Sequence, residues 1–246
     1  MKLDKNEISV WQVDIDKVDT SGDLSETLSD DEIQRAYSFR FAADRKRFIA
    51  RRAILRTLLG RYLSVDPAEI RFSENSSGKP QVAFPQQPGL RFSLSHSGNL
   101  LAFAHSPDPE IGIDIEKIDS ATDLEDVAKT YFSPAEQTML DDLPEPARVQ
   151  AFFRIWTLKE AVVKASELNL EDGLRSLNLA DAHNSSRIDT ILGDGRVVSC
   201  LSGVLDAPGY ASALAMSAQP NAPITLHRYL VNGDKVIESF KNYPPA

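Results

Sequence analysis

Asp114 and Glu116 stand two residues apart in Ile111-Gly112-Ile113-Asp114-Ile115-Glu116, where three isoleucines alternate with a glycine and two acids. That alternation is the period of a β-strand with one face in a core. Both carboxylates then project from the same face, roughly 7 Å apart along the strand. Neighbouring carboxylates repel each other, and neither residue type favours a strand. A cation between them removes the conflict. Two hard oxygen ligands with positions left open suit Mg²⁺, which retains water and takes further ligands from a substrate phosphate. The same pattern also fits an edge strand with a solvated acidic face.

A third acid tips the balance. At about 100° per residue, Val149, Phe152, Phe153, Trp156 and Val163 form one apolar helical stripe. Glu160 is centred in that stripe, and Lys164 lies one turn further on, near its edge. A Glu followed four residues later by Lys is usually an exposed pair of small worth. A carboxylate on an apolar face, however, is costly unless it is paired or bound to metal. Glu160 is therefore the natural partner of Asp114 and Glu116.

The elements that must position these residues come from a chain of 246 residues, long enough for one large domain or two small ones. Its 42% hydrophobic and 26% charged residues are those of an ordinary globular protein. No apolar run reaches membrane-span length and the start has no signal-peptide core, so no membrane association is expected. The lone Cys200 fits a reducing cytoplasm and reads as a small buried residue. Without clustered Cys or His, structural zinc is not expected.

The net charge of −9 hides an asymmetry: between Arg35 and Arg61 nine basic residues face a single acid, Asp44. An acidic chain is a poor nucleic-acid binder, so a concentrated basic helix points to a small polyanion. Arg47, Arg51 and Arg61 fall on the polar side of this helix. Arg45, Arg52 and Arg56 share a side with Phe48, Leu55, Leu59 and Tyr62, where a decorative charge is less expected.

In order, the chain reads as mixed α and β. A strand over 8–15 precedes a helix start at Ser29 with Glu32 three residues later, a capping box. Helical pattern runs to Tyr62 with a break near 41–43. A brief extended piece at 70–72 and a loop over 75–80 lead to a hairpin that turns at Gly98-Asn99. After the acidic strand come a helix over 124–131 and a second capping box, Ser133-Pro134-Ala135-Glu136. The Glu160 helix and four strands within 188–231 complete the chain. No internal repeat is visible.

Five stretches in this order carry a resemblance: Gly78-Lys79-Pro80, Phe92-Ser93-Leu94-Ser95-His96-Ser97, the acidic strand, Tyr131-Phe132-Ser133-Pro134-Ala135-Glu136, and Trp156-Thr157-Leu158-Lys159-Glu160-Ala161-Val162-Val163-Lys164. Together the chain resembles the 4′-phosphopantetheinyl transferase superfamily, in its longer, surfactin-synthetase-activating type. The resemblance is close over about 70–165 and looser from about 35.

It implies an α+β fold of two similar halves related by a pseudo-twofold, 1–109 and 110–246, with coenzyme A in the cleft between them. It implies transfer of the phosphopantetheine arm to a serine of an apo acyl or peptidyl carrier protein, releasing adenosine 3′,5′-bisphosphate. Asp114, Glu116 and Glu160 match the family's metal ligands, for Mg²⁺ or Mn²⁺. Glu160, or a water beside the metal, would take the serine proton, and Lys164 would stabilise the departing phosphate. Lys79, Ser95 and His96 match coenzyme A contacts, His96 at the 3′-phosphate. Arg45 and Arg52, seven apart on one helix face, resemble 3′-phosphate ligands, and Lys159 would touch the phosphates. Carrier docking is expected on apolar residues of 124–140, with Tyr131, Phe132 and Met139 as candidates. A monomer suffices if the two halves form their own cleft.

Overall fold

In a computed structural model, residues 7–18, 24–87, 89–120, 124–217 and 223–231 are described. Termini within the two expected halves, 1–6 and 232–246, lie outside them. The described residues form ten strands and six α-helices, the α+β class the sequence predicts.

In the first half, β1 (Glu7–Asp14) is followed by α1 (Asp30–Ser38) and the long α2 (Ala42–Leu63). The hairpin β2 (Arg71–Glu74) and β3 (Pro80–Phe84) follows, then the hairpin β4 (Arg91–Ser97) and β5 (Leu100–Ser106). The second half begins with β6 (Ile111–Lys117) and continues through α3 (Leu124–Tyr131), α4 (Pro134–Asp141), the long α5 (Glu145–Ser166) and α6 (Leu170–Ser176). Strands β7 (Arg187–Ile191), β8 (Val197–Ser202) and β9 (Tyr210–Ser217) end it. The last strand, β10 (Thr225–Val231), returns to the first half, where it pairs parallel with β1. The first sheet runs β10–β1–β5–β4 and the second β6–β9–β8–β7, with β2–β3 as a separate ribbon.

Strand alternation stacks these pieces in four layers. Trp11, Val13, Leu101, Phe103 and Phe92 face α2, where Ile54, Leu55, Leu58 and Leu59 complete a core. From the opposite face of that sheet, Ile8, Val10, Ala102 and Ala104 meet Ile111, Ile113, Ile115, Leu214 and Met216 of the second. The far face of the second sheet, with Val198, Cys200, Ala213 and Ala215, packs on α5. The three isoleucines of β6 are 0% exposed, each burial worth roughly 2 kcal/mol. The intervening Gly112, Asp114 and Glu116 are thereby turned towards α5.

The halves repeat one device. Ser29 caps α1 and Ser133 caps α4, each through a complete capping box. The box glutamate also meets a cation on the 22-residue helix that follows: Glu32 Oε2 accepts from Arg56 Nε at 2.7 Å, and Glu136 Oε2 pairs with Lys159 Nζ at 2.8 Å. Arg56 and Lys159 each occupy the fifteenth position of their helix.

Candidate active site

The acids meet where β4, β6 and α5 come together. Ser93, Ser95 and Ser97 share the face of β4 that looks at β6, and their hydroxyls stitch the two strands. Ile113 N–H donates to Ser93 Oγ at 3.0 Å, Ser95 Oγ donates to Asp114 Oδ1 at 2.7 Å, and Ser97 Oγ donates to Glu116 Oε2 at 2.7 Å. From α5, Lys164 Nζ donates to Asp114 Oδ1 at 2.6 Å and lies 3.3 Å from Glu160 Oε2. Asp114, Glu116, Glu160, Lys164 and Ser95 are thus brought into one cluster.

Its electrostatics are short of positive charge. Burial pushes the Glu160 carboxyl up, Asp114 and Glu116 add to that push, and Lys164 opposes it. Burial also raises Glu116, with Asp114 adding to the push and the Ser97 hydroxyl and Lys164 working against it. Lys164 would be lowered by burial, but Asp114 and Glu160 outweigh this and raise it. Asp114 is 1% exposed and its Oδ2 is buried with no hydrogen-bond partner among the described residues.

As they stand, no three Asp, Glu, His or Cys side chains among the described residues are grouped to hold a metal, and the Lys164 ammonium lies among the acids. The donor set nonetheless fits a divalent cation. It offers hard oxygens only, one of them orphaned, and two carboxyls that burial pushes up and a cation would draw back down.

His96 alternates with the serines and so looks towards α2. Desolvation holds its imidazole below the ordinary value, and the nearby Arg51 guanidinium and Lys164 ammonium push the same way. Among the α2 arginines it is Arg51, which the sequence places on the polar side, whose charge bears on His96, while its Nε donates to Arg47 O at 3.2 Å. Arg45 lies over the Tyr37 ring, 5.4 Å from its centroid. Arg52 donates to Glu32 Oε1 at 2.6 Å and covers the Phe72 ring. Arg56 is 1% exposed, and besides Glu32 it donates to the carbonyls of Pro67 and Ile70.

Two expected coenzyme A contacts are spent on the protein itself. Lys159 is 0% exposed and does not reach the cluster. Its ammonium serves Glu136 and the carbonyls of Tyr131, Leu174 and Leu177. Periodicity placed it beside an apolar stripe, but α5 is covered on both sides, by its sheet and by α3, α4 and α6. Lys79 Nζ donates to the carbonyls of Ile111 and Lys164 and pairs with Glu110. Missed by motif reading were Ser93 and Ser97, although their spacing with Ser95 puts all three on one strand face.

Two pseudo-equivalent halves with a carboxylate and ammonium cluster at their seam define the class to which this chain belongs, the 4′-phosphopantetheinyl transferase superfamily. Residues 110–215 match that superfamily's model, and residues 19–108 match the model of the 4′-phosphopantetheinyl transferase N-terminal region. The chain is 42% identical over 168 residues to the 4′-phosphopantetheinyl transferase HetI of Nostoc sp. (strain PCC 7120 / SAG 25.82 / UTEX 2576), covering 68% of this chain and 71% of that protein. It is 31% identical to the putative 4′-phosphopantetheinyl transferase slr0495 of Synechocystis sp. (strain ATCC 27184 / PCC 6803 / Kazusa), over 61% of each chain. Similarity to the 4′-phosphopantetheinyl transferase Sfp of Bacillus subtilis (strain 168) is 29% over 216 residues, 82% of this chain and 88% of that one. This chain is, accordingly, a 4′-phosphopantetheinyl transferase, and its match to Sfp runs through both halves.

Proposed function

We propose that the enzyme moves the phosphopantetheine arm of coenzyme A to a serine hydroxyl of an apo acyl or peptidyl carrier protein, releases adenosine 3′,5′-bisphosphate and depends on Mg²⁺. Its two halves, 1–109 and 110–246, the second lending β10 to the sheet of the first, form the cleft, and a cytoplasmic monomer is sufficient. The observation that carries the reading is the Asp114–Lys164–Glu160 cluster with its orphaned Asp114 Oδ2.

Asp114, Glu116 and Glu160 would hold the cation, with Mn²⁺ as an alternative. Such an ion supplies charge neutralisation at the diphosphate linkage and orients it for in-line attack. Glu160 has a carboxyl raised by burial and can take the serine proton. Lys164 supplies a fixed positive charge for the departing phosphate. Ser95 and Ser97 hold Asp114 and Glu116 in place. His96, Arg51, whose charge bears on it, and Arg45 on the same helix are taken as the seat of the 3′-phosphate.

The carrier's helix is assigned to a cavity of about 430 Å³ between α3, α4 and α5, where Leu124, Ala128, Leu140 and Phe152 are joined by charged side chains such as Lys129 and Arg148. Of the docking candidates, Phe132 is core at 5% exposure, while Tyr131 and Met139 are half-buried. Mass spectrometry of apo carrier with coenzyme A tests the reading. A phosphopantetheine increment that EDTA abolishes and Mg²⁺ restores is expected. An unmodified carrier, or modification indifferent to EDTA, would overturn the carrier target or the metal dependence respectively.

A further inference from the structure

We infer that Lys79 is a positioning residue: from the first half it fixes the spacing between β6, which carries Asp114 and Glu116, and α5, which carries Glu160 and Lys164. The inference rests on the reading of those four side chains as the reaction centre.

The geometry is a strut across the seam. Lys79 Nζ donates to Ile111 O at 2.8 Å and to Lys164 O at 3.0 Å, with Glu110 Oε2 at 3.3 Å. An ammonium has three N–H groups and here meets three acceptors, which leaves none for a ligand. The side chain is only 13% exposed. Ile111 opens β6, three residues before Asp114. The Lys164 carbonyl belongs to the last turn of α5, where helix carbonyls lack intrahelical partners and a cation is favoured.

Strand and helix have no slack between them. A Cβ at Gly112 would lie 2.0 Å from Ala161 O and 2.7 Å from Ala165 N, so the two backbones are already in contact. The loop that delivers Lys79 is itself braced. Asn75 Oδ1 accepts from Ser77 N, Ser77 Oγ and Lys79 N, while Asn75 Nδ2 donates to Glu167 Oε1 at 2.8 Å, just past the end of α5. Glu110 is held in turn by Arg91 at 2.7 Å. The β2–β3 loop therefore grips the end of the catalytic helix at two points, and its lysine ties that helix to the acidic strand.

The test compares wild type with Lys79→Met and Lys79→Arg, by steady-state kinetics and by electron paramagnetic resonance titration of Mn²⁺ in the presence of coenzyme A. For Lys79→Met the expected result is a kcat lowered roughly 10- to 100-fold, an Mn²⁺ dissociation constant raised about tenfold, and a KM for coenzyme A within about twofold. Lys79→Arg, which keeps charge and donors, should recover part of kcat. A raised KM with kcat and Mn²⁺ affinity intact would make Lys79 a coenzyme A contact and overturn the inference, as would no change at all. Should Lys79→Met not fold, Asn75→Ala loosens the same loop, and an unaltered kcat there overturns it equally. Failure of the wild type to bind Mn²⁺ would instead sink the cation reading, with kcat still deciding the role of Lys79.

Discussion

Lys159 and Glu160 are neighbours on one helix, yet their surroundings send them to opposite tasks. Glu160 reaches the seam, where burial and two further acids raise it. Lys159 enters the core and neutralises Glu136, itself 0% exposed. Removing one member of a buried, fully bonded ion pair leaves the other uncompensated, at a cost of roughly 3–5 kcal/mol. Lys159→Met should therefore lower the unfolding free energy measured in urea by that amount without weakening coenzyme A binding by the folded fraction. Lys159→Met combined with Glu136→Gln should recover much of the loss. A selective fall in coenzyme A affinity would restore the phosphate-contact role. The same distinction separates Arg51 from Arg52. Arg51→Ala should cost about tenfold in affinity for coenzyme A and little for 3′-dephospho-coenzyme A, as expected for one charged hydrogen bond. Arg52→Ala should show no such preference, any loss being the same for both ligands, because its guanidinium is held by Glu32. Isothermal titration with both ligands decides between them. The sequence marked Arg52 and Arg56 as unlike surface charges, which is correct. What it could not show is that their partner is the glutamate of a capping box.

Elements with local causes were legible. Both capping boxes, the β4–β5 hairpin and the alternation of β6 were readable because each is written within a few residues. β3 and α6 were not. β3 opens on Pro80 and is mostly exposed, so it lacks an apolar alternation. α6 is seven residues long and contains Gly173, which packs close enough that a Cβ would lie 2.8 Å from Val163 Cγ2. Gly112 makes the contact between strand and helix its most demanding there. Its replacement must move β6 from α5, because the obstructing atoms are backbone. Gly112→Ala should destabilise by at least about 3 kcal/mol by urea unfolding, in the range of severe overpacking. A variant with wild-type stability would mean that the two elements can separate freely, contrary to the fixed seam the proposed reaction centre needs.

At the scale of the whole molecule the pseudo-twofold is legible through the family resemblance and not as a repeat in the residues, since what repeats is an acid from a capping box meeting a cation 23 or 24 residues later, Glu136–Lys159 and Glu32–Arg56. The two pairs differ in the cation, Arg56 against Lys159, and beyond the Ser-x-x-Glu capping box no longer stretch of sequence repeats around them. The return of β10 to β1 was likewise invisible, since strand pairing at such separation leaves no local trace. These long-range placements also set the response to acid. His105 on β5 is 7% exposed, with Nδ1 3.0 Å from the Arg91 carbonyl, and burial pushes its imidazole down to about 4. The folded protein then binds fewer protons than the unfolded chain between pH about 6.5 and 4, so stability falls as pH falls through that window, by roughly 3 kcal/mol. Glu32 extends the loss to lower pH. Burial would raise its carboxyl, but the Ser29 N–H, Arg56 and Arg52 outweigh it and hold it below its ordinary value, so its contribution disappears as it protonates. The raised Glu116 and Glu160 titrate with the opposite sign, which makes the difference between variants the informative quantity. The urea midpoint of His105→Gln should change less than that of wild type between pH 6.5 and 4, and parallel curves would show that His105 is not held neutral by the fold.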